Sequence, residues 1–259
     1  MSQRIFLTGA SSGIGAALAR HYAAQGASLG LLARRADKLA ALADELHARH
    51  GTHCSLHVAD VADAAAMQQA ASDFLQAGGA PDLVIANAGI SVGTLTQEIE
   101  DLPAFRRVLE TNVLGLVHTF APFLPAMLAR RQGTLVGIAS VAGVRGLPGA
   151  GAYSASKAAA IAYLESLRIE LRGSGVKVVT LSPGYVATPM TEKNPYPMPF
   201  ILPADEAARR MARLIAAGRR HAVLPWPMAI VAKVLRLMPD ALHDFLFARA
   251  GRKPRQTLH

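Results

Sequence analysis

Short apolar runs alternate regularly with segments of helical spacing, and this alternation constrains the fold more than any other feature. The first run leads into a glycine-rich turn, after which Ile14, Leu18 and Tyr22 recur on one helical face. The strand-like runs are residues 3–8, 28–33, 53–58, 82–86, 134–139 and 176–181, with a seventh at 221–224. The helical segments are residues 13–25, 37–50, 64–77, 111–131 and 152–172. Such alternation predicts a parallel sheet covered by helices on both faces.

The glycine spacing at Gly9, Gly13 and Gly15 follows a strand and opens a helix. This arrangement lets the backbone approach a pyrophosphate and directs the amides of a helix N-terminus at it. The alternative is a tight strand-to-helix turn without a ligand. We therefore expect an α/β protein with a doubly wound, Rossmann-type sheet of about seven strands, in a single domain over residues 1–259.

The end of the second strand favours a particular nucleotide. Many dinucleotide-binding proteins place an acid there, where it holds the ribose 2′-hydroxyl. This chain has Ala33 followed by Arg34 and Arg35. Two guanidiniums suit a 2′-phosphate through charge-assisted contacts, so NADP(H) is predicted over NAD(H). The alternative is that both arginines are solvated at the start of a helix.

Tyr153 and Lys157 are four residues apart in a segment of helical spacing, so they share one helical face. An ammonium close to a phenol stabilises the phenolate, and we expect it to lower the tyrosine pKa from its ordinary value of about 10. The pair therefore predicts an acid and base usable near neutral pH.

Taken in order, these motifs resemble the short-chain dehydrogenase/reductase family in its one-domain form. The matching elements are Thr8-Gly-Ala-Ser-Ser-Gly-Ile-Gly15, Asp60-Val61, Asn87-Ala-Gly89, Asn112, Ser140, Tyr153-x3-Lys157 and Pro183-Gly184 with Thr188. The resemblance covers almost the whole chain. It implies hydride transfer between a nicotinamide and a carbonyl or alcohol carbon.

The resemblance also implies individual roles. Tyr153 is expected to donate and accept the proton, Lys157 to lower its pKa and bind the nicotinamide ribose, Ser140 to orient the carbonyl, and Asn112 to support a relay water. Hydrogen bonds from Ser140 and Tyr153 would stabilise the developing alkoxide. The predicted cofactor-binding residues are Gly9, Ser11, Ser12, Gly13, Ile14, Gly15, Arg34, Arg35, Asp60, Val61, Asn87, Ala88, Gly89, Tyr153, Lys157, Pro183, Gly184, Val186 and Thr188.

We therefore predict an NADP(H)-dependent oxidoreductase that reduces a hydrophobic ketone or aldehyde. The alternative is a non-catalytic NADP(H)-binding regulatory or interaction protein on the same fold. Residues 185–205 are rich in proline and predict a lid over the substrate. Its apolar side chains favour an apolar substrate, and they are Met190, Tyr196, Met198, Phe200, Ile201 and Leu202.

The C-terminal segment, residues 225–259, is both apolar and basic. Residues 205–259 hold eleven Lys and Arg against four Asp and Glu, out of a net charge of +9 for the whole chain. Two alternatives stay open. The segment either lies on anionic lipid as an interfacial helix, or packs on the domain, lines the pocket or makes a subunit contact. Its prolines and charges do not predict a transmembrane span.

Other features narrow the partners and the compartment. The chain has one cysteine, Cys54, and therefore no internal disulfide, and it begins with a strand. We expect a cytoplasmic protein without a targeting peptide. If the C-terminal segment binds lipid, the protein is expected at the inner membrane surface as a peripheral protein. The basic residues lack an aromatic stacking platform, so no nucleic-acid partner is predicted. His47, His50, His53 and His57 lack metal-site spacing, and we predict no metal. The resemblance implies a homodimer or homotetramer formed through residues 111–131 and 152–172.

Overall fold

Parallel strands form the centre of the computed structural model, which describes residues 2–249 and 251–255. The strands are β1 (Arg4–Thr8), β2 (Ser28–Ala33), β3 (Cys54–Val58), β4 (Leu83–Ala86), β5 (Gly133–Ile138), β6 (Val176–Pro183), β7 (Val186–Ala187), β8 (Leu202–Pro203) and β9 (His221–Leu224). Seven of them form one sheet in the order β3-β2-β1-β4-β5-β6-β9, with every neighbouring pair parallel. The predicted seven-stranded Rossmann-type sheet is confirmed.

Helices cover both faces of this sheet. They are α1 (Gly13–Ala23), α2 (Ala36–His50), α3 (Ala64–Gln76), α4 (Leu102–Leu109), α5 (Gly115–Phe120), α6 (Leu124–Arg130), α7 (Gly151–Glu170), α8 (Ala204–Ala216), α9 (Trp226–Leu237) and α10 (Asp240–Phe247). Alternate residues of β1 feed two cores, because side chains of a strand point to opposite faces. Ile5 and Leu7 pack in the core beneath α1 and α8, whereas Phe6 packs with Phe74 and Phe120 on the other face.

The strand order creates the cleft. From β1 the chain builds outward through β2 and β3, then returns to place β4 on the other side of β1. The carboxyl ends of β1 and β4 therefore diverge at a topological switch point, where open α/β sheets bind their ligands. The glycine turn that follows β1 lies at this point.

The predicted helix over residues 111–131 is wrong in its start and in its continuity. The helical stretch begins at Leu102, passes through a π-helical turn at Glu110–Leu114, and breaks after Phe120. Pro122 lies in the break and Pro125 lies in the first turn of α6. Proline lacks the amide donor that a helix interior needs, so it separates α5 from α6.

The stretch 99–130 is long and apolar enough to cross a membrane by length and composition alone. In the fold it packs instead on the body of the domain. α4 contacts α7, and α5 contacts β4 and α3. The core helices of an α/β domain meet the same criteria of length and composition, and this stretch is part of the layer that covers the sheet.

The predicted lid, residues 185–205, begins and ends in short paired strands and is irregular between them. β7 and β8 pair with each other and fix its two ends. Leu202 belongs to the core, so its predicted place in the lid is wrong; it is 9% exposed, because β8 brings it beneath α8. The irregular residues between β7 and β8 cover the carboxyl ends of the strands.

Candidate active site

The glycine turn presents main chain where side chains would not fit. A Cβ on Gly15 would lie 2.2 Å from the Gly9 carbonyl oxygen, and Gly9 has a φ of +67°. A Cβ on Gly13 would lie 3.1 Å from Thr188 Cγ2. The turn therefore offers a surface free of side chains at the start of α1, which fits the diphosphate of a dinucleotide.

Asn87 and Thr8 hold this turn in place. Asn87 Nδ2 donates to the carbonyls of Thr8 and Gly9 at 3.1 and 3.2 Å. The amides of Asn87 and Ala88 donate to Thr8 Oγ1 at 3.2 and 3.3 Å. The segment after β4 is thereby tied to the segment after β1, and both form one wall of the cleft.

Two arginines lie at the far end of the cleft. Arg35 donates to Ser11 Oγ and Ser12 Oγ at 2.9 and 2.8 Å, so its guanidinium lies beside the glycine turn. Arg34 pairs with Asp60 at 3.4 Å. Ala33, which precedes them, is buried at the end of β2. This end of the cleft is positively charged where an acid would otherwise bind a ribose hydroxyl.

Asp60 is more constrained than the sequence suggested. Its carboxylate accepts the Ala62 amide at 3.0 Å and pairs with Arg107, a residue that no sequence motif indicated. Burial raises the pKa of Asp60, but the Ala62 amide and the charges of Arg107 and Arg34 outweigh it and hold that pKa below its ordinary value. Asp60 is therefore a fixed anion in the cleft wall.

These elements enclose a cavity of about 390 Å³, the cofactor-side cavity. Each predicted cofactor-binding residue lines it except Gly15, which lies beneath the turn. Thr111 also lines it, and its buried hydroxyl has no hydrogen-bond partner among the described residues. Sequence reasoning missed Thr111 because it has no motif of its own beside Asn112.

The predicted catalytic side chains converge at the inner end of this cavity. Ser140 lies two residues after the end of β5, and its hydroxyl accepts the Ala142 amide at 3.1 Å. Tyr153 and Lys157 lie in the first two turns of α7, and Lys157 Nζ lies 5.8 Å from the Tyr153 ring centre. The sequence-predicted pair therefore does share a helical face toward the strand end that carries Ser140.

Lys157 is a buried ammonium. Its Nζ donates to the Ile138 carbonyl at 2.8 Å, and burial lowers its pKa to about 8. Burial also raises the pKa of the Tyr153 hydroxyl, while the Ser140 hydroxyl beside it acts in the opposite direction. The lowered Tyr153 pKa predicted from the sequence is wrong here, because desolvation dominates and Lys157 donates to a main-chain carbonyl.

Asn112 lies in the π-helical turn between α4 and α5. Its Oδ1 accepts the Ile90 amide at 2.8 Å, and its Nδ2 donates to the Ile90 carbonyl and to Ser156 Oγ, each at 2.9 Å. A Cβ on Gly89 would lie 3.2 Å from Asn112 Oδ1 and 3.5 Å from Lys157 Nζ. Asn112 is thus held beside Lys157, in the kind of helical irregularity that often marks functional sites.

A second cavity of about 300 Å³, the substrate-side cavity, meets the first at the predicted catalytic residues. Ser140, Tyr153 and Gly184 line both cavities. Most of the remaining wall is apolar or aromatic. The lid, α9 and α10 contribute Met190, Tyr196, Met228, Val231, Leu235 and Phe247 to it. Phe200 and Ile201, also predicted as lid residues, are 53% and 42% exposed.

Outside the predicted lid, three polar residues of this second cavity were missed from the sequence: Ser91, Arg145 and Lys253. None belongs to a motif, and the sequence showed Lys253 only as one of the eleven basic residues of the stretch 205–259. Arg145 donates to the Met238 carbonyl at 2.9 Å and pairs with Asp240 at 2.7 Å, so it anchors the connection between α9 and α10.

The C-terminal helices α9 and α10 have an inner and an outer face, and each face bears on one of the two alternatives that the sequence left open. The inner face of α9 lines the substrate-side cavity, as one of them required. The outer face is exposed, with Trp226 at 71% and Phe245 of α10 at 79%. Residues 250 and 256–259 of the basic segment lie outside the described residues.

The histidine-rich stretch does not assemble a metal centre within the described residues. The rings of His47 and His53 lie 5.1 Å apart, and His57 Nε2 lies 3.1 Å from Ser55 Oγ. No three His, Cys, Asp or Glu side chains in the described part of the chain come together in a way that could hold an ion.

Comparisons with known proteins agree with this geometry. The model of the short chain dehydrogenase family matches residues 3–197. An uncharacterized oxidoreductase of Myxococcus xanthus is 39% identical over 94% of this chain and 96% of its own length. The chain belongs to the short-chain dehydrogenase/reductase family.

Two solved structures are similar over most of this chain. An alcohol dehydrogenase from Thermococcus sibiricus, complexed with 5-hydroxy-NADP, is 30% identical, covers 86% of this chain and 96% of its own, and has a TM-score of 0.79. A short-chain dehydrogenase/reductase from Burkholderia phymatum, in complex with NAD, is 26% identical, covers 98% of each chain, and has a TM-score of 0.82. This chain is therefore an oxidoreductase of a family whose structures bind nicotinamide nucleotides.

Proposed function

We propose that this protein is an NADP(H)-dependent reductase that converts an apolar ketone or aldehyde to an alcohol. One observation carries the proposal: the cofactor-side and substrate-side cavities meet at Ser140 and Tyr153. A nicotinamide bound in the first cavity would supply hydride to a carbonyl carbon held at that junction. The chain's own residues then act on the carbonyl oxygen.

Ser140 and Tyr153 direct hydroxyl groups at this oxygen. As the new C–H bond forms, the C=O π bond breaks and negative charge develops on the oxygen, where the two hydroxyls stabilise it. Tyr153 then gives its proton to the oxygen and becomes a phenolate. A phenol is protonated at neutral pH even at its ordinary pKa of about 10, so Tyr153 has the proton that the reduction requires.

Lys157 and Asn112 complete this acid–base arrangement. Lys157 has a pKa of about 8, so at neutral pH its ammonium is charged and compensates the phenolate. Asn112 holds the loop at Ile90 beside Lys157 and is proposed to support the water that returns the proton to Tyr153.

The preference for NADP(H) rests on Arg34 and Arg35. The Arg35 guanidinium beside Ser11 and Ser12 supplies a ready site for a 2′-phosphate, and Arg34 lies next to it on the same loop. The related structures hold both nucleotide types, one 5-hydroxy-NADP and the other NAD, so charge at this loop is the argument for this chain.

A fluorescence titration tests the nucleotide preference. In Arg34→Ala with Arg35→Ala, the NADPH affinity should fall about tenfold or more and the NADH affinity by less than twofold, because charge-assisted bonds to phosphate are lost. Arg49→Ala, an exposed change on α2, is the control. Equal losses for both nucleotides would overturn the assignment.

Steady-state NADPH oxidation with ketones of graded chain length tests the reaction itself. The apolar wall of the substrate-side cavity favours longer over shorter chains. Turnover that rises with chain length supports the proposal. Tight NADPH binding without turnover of any ketone, aldehyde or secondary alcohol would favour the non-catalytic alternative.

The outer face of α9 and α10 supports a peripheral contact with anionic lipid at the cytoplasmic surface of the inner membrane. Its exposed apolar side chains are Trp226, Ile230, Val234, Leu237, Leu242, Phe245 and Leu246. Lys233, Arg236 and Arg249 are exposed nearby, and the net charge of +9 favours an anionic surface over a second copy of the chain.

Vesicle co-sedimentation tests this contact. The protein should bind phosphatidylglycerol vesicles more than phosphatidylcholine vesicles, and Ile230→Glu with Leu237→Glu should abolish binding while Val58→Glu, an exposed change on β3, should not. No binding to either vesicle at low salt would overturn the contact. Self-association through this face, lost in the same double variant, would also overturn it.

A homo-oligomer formed through residues 111–131 and 152–172 is proposed separately. Leu114 and Ile169 are 50% and 66% exposed on these helices, which leaves apolar surface for a subunit contact. Sedimentation should show a dimer or tetramer that Ile169→Glu dissociates. A monomeric wild-type protein would contradict it.

A further inference from the structure

The end of the described chain returns to the substrate-side cavity as a C-terminal strap, residues 251–255. The Gly93 amide donates to the Pro254 carbonyl at 3.0 Å, which ties the strap to the loop after β4. Arg255 donates to the Asp101 carboxylate at 2.9 Å, and Asp101 is 3% exposed. The ion pair between Arg255 and this buried carboxylate, together with the main-chain bond, fixes the strap in one position.

Lys253 directly precedes these two anchors in the strap and lines the cavity. Its Nζ donates to Ser91 Oγ at 2.7 Å and lies 5.8 Å from the Tyr153 ring centre. An ammonium has three donors, and Ser91 is the one hydrogen-bond partner that the described residues provide. Burial lowers the pKa of Lys253 to about 8, so it is still charged at neutral pH.

The cavity gives this ammonium no counter-ion. Its lining contains no Asp or Glu among the described residues. The other lining cation, Arg145, is already engaged with Asp240 and the Met238 carbonyl. A partly buried charge in an apolar wall is costly unless an opposite charge or further hydrogen bonds compensate it. The arrangement suits a ligand that brings its own anion.

We propose that Lys253 binds a carboxylate of the substrate, so that the preferred substrates are apolar oxo acids whose carbonyl lies a few bonds from the carboxylate. This inference rests on the proposed function, since it names the substrate class of the same site. Lys253 determines specificity and takes no part in proton transfer. A single ammonium in an apolar wall matches a monoanion better than a phosphate dianion, which cationic clusters usually bind.

The distance of 5.8 Å between Lys253 Nζ and the Tyr153 ring centre supports a short separation between the carbonyl and the carboxylate of the substrate. Tyr153 holds the carbonyl oxygen on one side, and Lys253 holds the carboxylate within one charge-assisted hydrogen bond on the other. The remaining alkyl chain would extend along the side chains of α9. The substrate thus has an apolar tail and an acidic head, and the head lies at the reacting end.

Turnover of matched acids and esters tests the inference. The probes are 2-, 3- and 4-oxo acids with an eight-carbon apolar tail, each with its methyl ester and NADPH. In Lys253→Met, kcat/KM should fall about tenfold or more for the best acid and less than threefold for its ester, because a charged hydrogen bond is lost. Arg252→Met, the neighbouring exposed cation, is the control.

A second variant loosens the strap while keeping the lysine. Arg255→Met removes the bond to Asp101, and it should show the same selective loss for acids, though smaller. Equal losses for acid and ester in Lys253→Met would show that Lys253 acts through Tyr153 or through the fold, and would overturn the inference. A wild-type enzyme that prefers the esters would overturn it as well.

A binding measurement separates this inference from the proposed function. Decanoate, which has no reactive carbonyl, should bind the enzyme–NADP complex about tenfold more tightly in the wild type than in Lys253→Met, by calorimetry, while decanol should not distinguish them. Ketone turnover without this difference leaves the proposed function standing and overturns the inference. A difference in decanoate affinity between the wild type and Lys253→Met, without turnover of any carbonyl compound, supports the carboxylate site and overturns the proposed reaction.

Discussion

The two cavities that meet at Tyr153 are built from different kinds of chain segment. The cofactor-side cavity is formed largely by turns that follow β1, β4 and β6, and the sheet brings these to one edge. The substrate-side cavity draws side chains from distant positions, such as Ser91 and Lys253, which are 162 residues apart. Nucleotide binding therefore depends on the sheet topology, whereas substrate choice depends on segments that can vary without altering the sheet.

Removing the Lys157 charge, where the two cavities meet, should have the largest effect on catalysis. Lys157→Met deprives the phenolate of its ammonium, so kcat should fall about 1000-fold, within the range of acid–base contributions. Steady-state NADPH oxidation measures it, and Lys177→Met, an exposed lysine on β6, is the control. A kcat within threefold of the wild type would show that Lys157 does not serve the junction.

The same residue should make stability depend on pH. The folded-state pKa of Lys157 is about 8 against 10.5 for an ordinary lysine, so the unfolded chain binds the proton more tightly between these values. The unfolding free energy of the wild type should therefore rise relative to that of Lys157→Met by on the order of 3 kcal/mol from pH 8 to 10.5. Urea titrations across this range measure the difference, and a flat difference would contradict the buried charge.

A substitution beneath the cofactor-side cavity should affect nucleotide binding alone. Gly15→Ala places a Cβ 2.2 Å from the Gly9 carbonyl oxygen and displaces the turn. NADPH affinity should fall about 30-fold, which corresponds to roughly 2 kcal/mol of overpacking. In Gly151→Ala the new Cβ meets open space, and affinity should stay unchanged. Unaltered NADPH binding in Gly15→Ala would remove the turn from the site.

The smallest effect is expected from a contact that only the structure revealed. Arg107→Gln removes one partner of Asp60, which keeps the Ala62 amide and Arg34. NADPH affinity should fall about threefold, because partly exposed ion pairs contribute little. Its neighbour Arg106→Gln, exposed and paired with Glu110, is the control in the same fluorescence titration. A loss of 30-fold or more would make Asp60 a principal binding group.

The sequence predicted the cofactor side well because its signals are local. A strand, a glycine turn and a helix follow each other within twenty residues. The predicted helices over residues 37–50 and 64–77 lie at Ala36–His50 and Ala64–Gln76, where Gly51 caps the end of the first and Asp63 the start of the second. The predicted helix over residues 111–131 failed because Pro122 and Pro125 interrupt it and its first turns lie earlier in the chain.

The substrate side was less predictable because its contacts are long-range. In the sequence, Lys253 is one of many basic residues of the C-terminal segment. The fold shows that the strap brings it to Ser91. The direction of the Tyr153 pKa depended on burial, which a helical spacing of four residues does not report. The sequence could name the reacting residues but not the environment that sets their protonation.

Tyr153→Phe, measured by NADPH fluorescence and by turnover on one preparation, tests the junction of the two cavities most directly. The account predicts NADPH affinity within twofold of the wild type, because the phenol ring and the cofactor-side wall remain, and a fall in kcat of about 1000-fold for an accepted ketone, because the proton donor is gone. Full turnover in Tyr153→Phe would contradict the central role given to Tyr153. Loss of nucleotide binding without a change in kcat would contradict it equally.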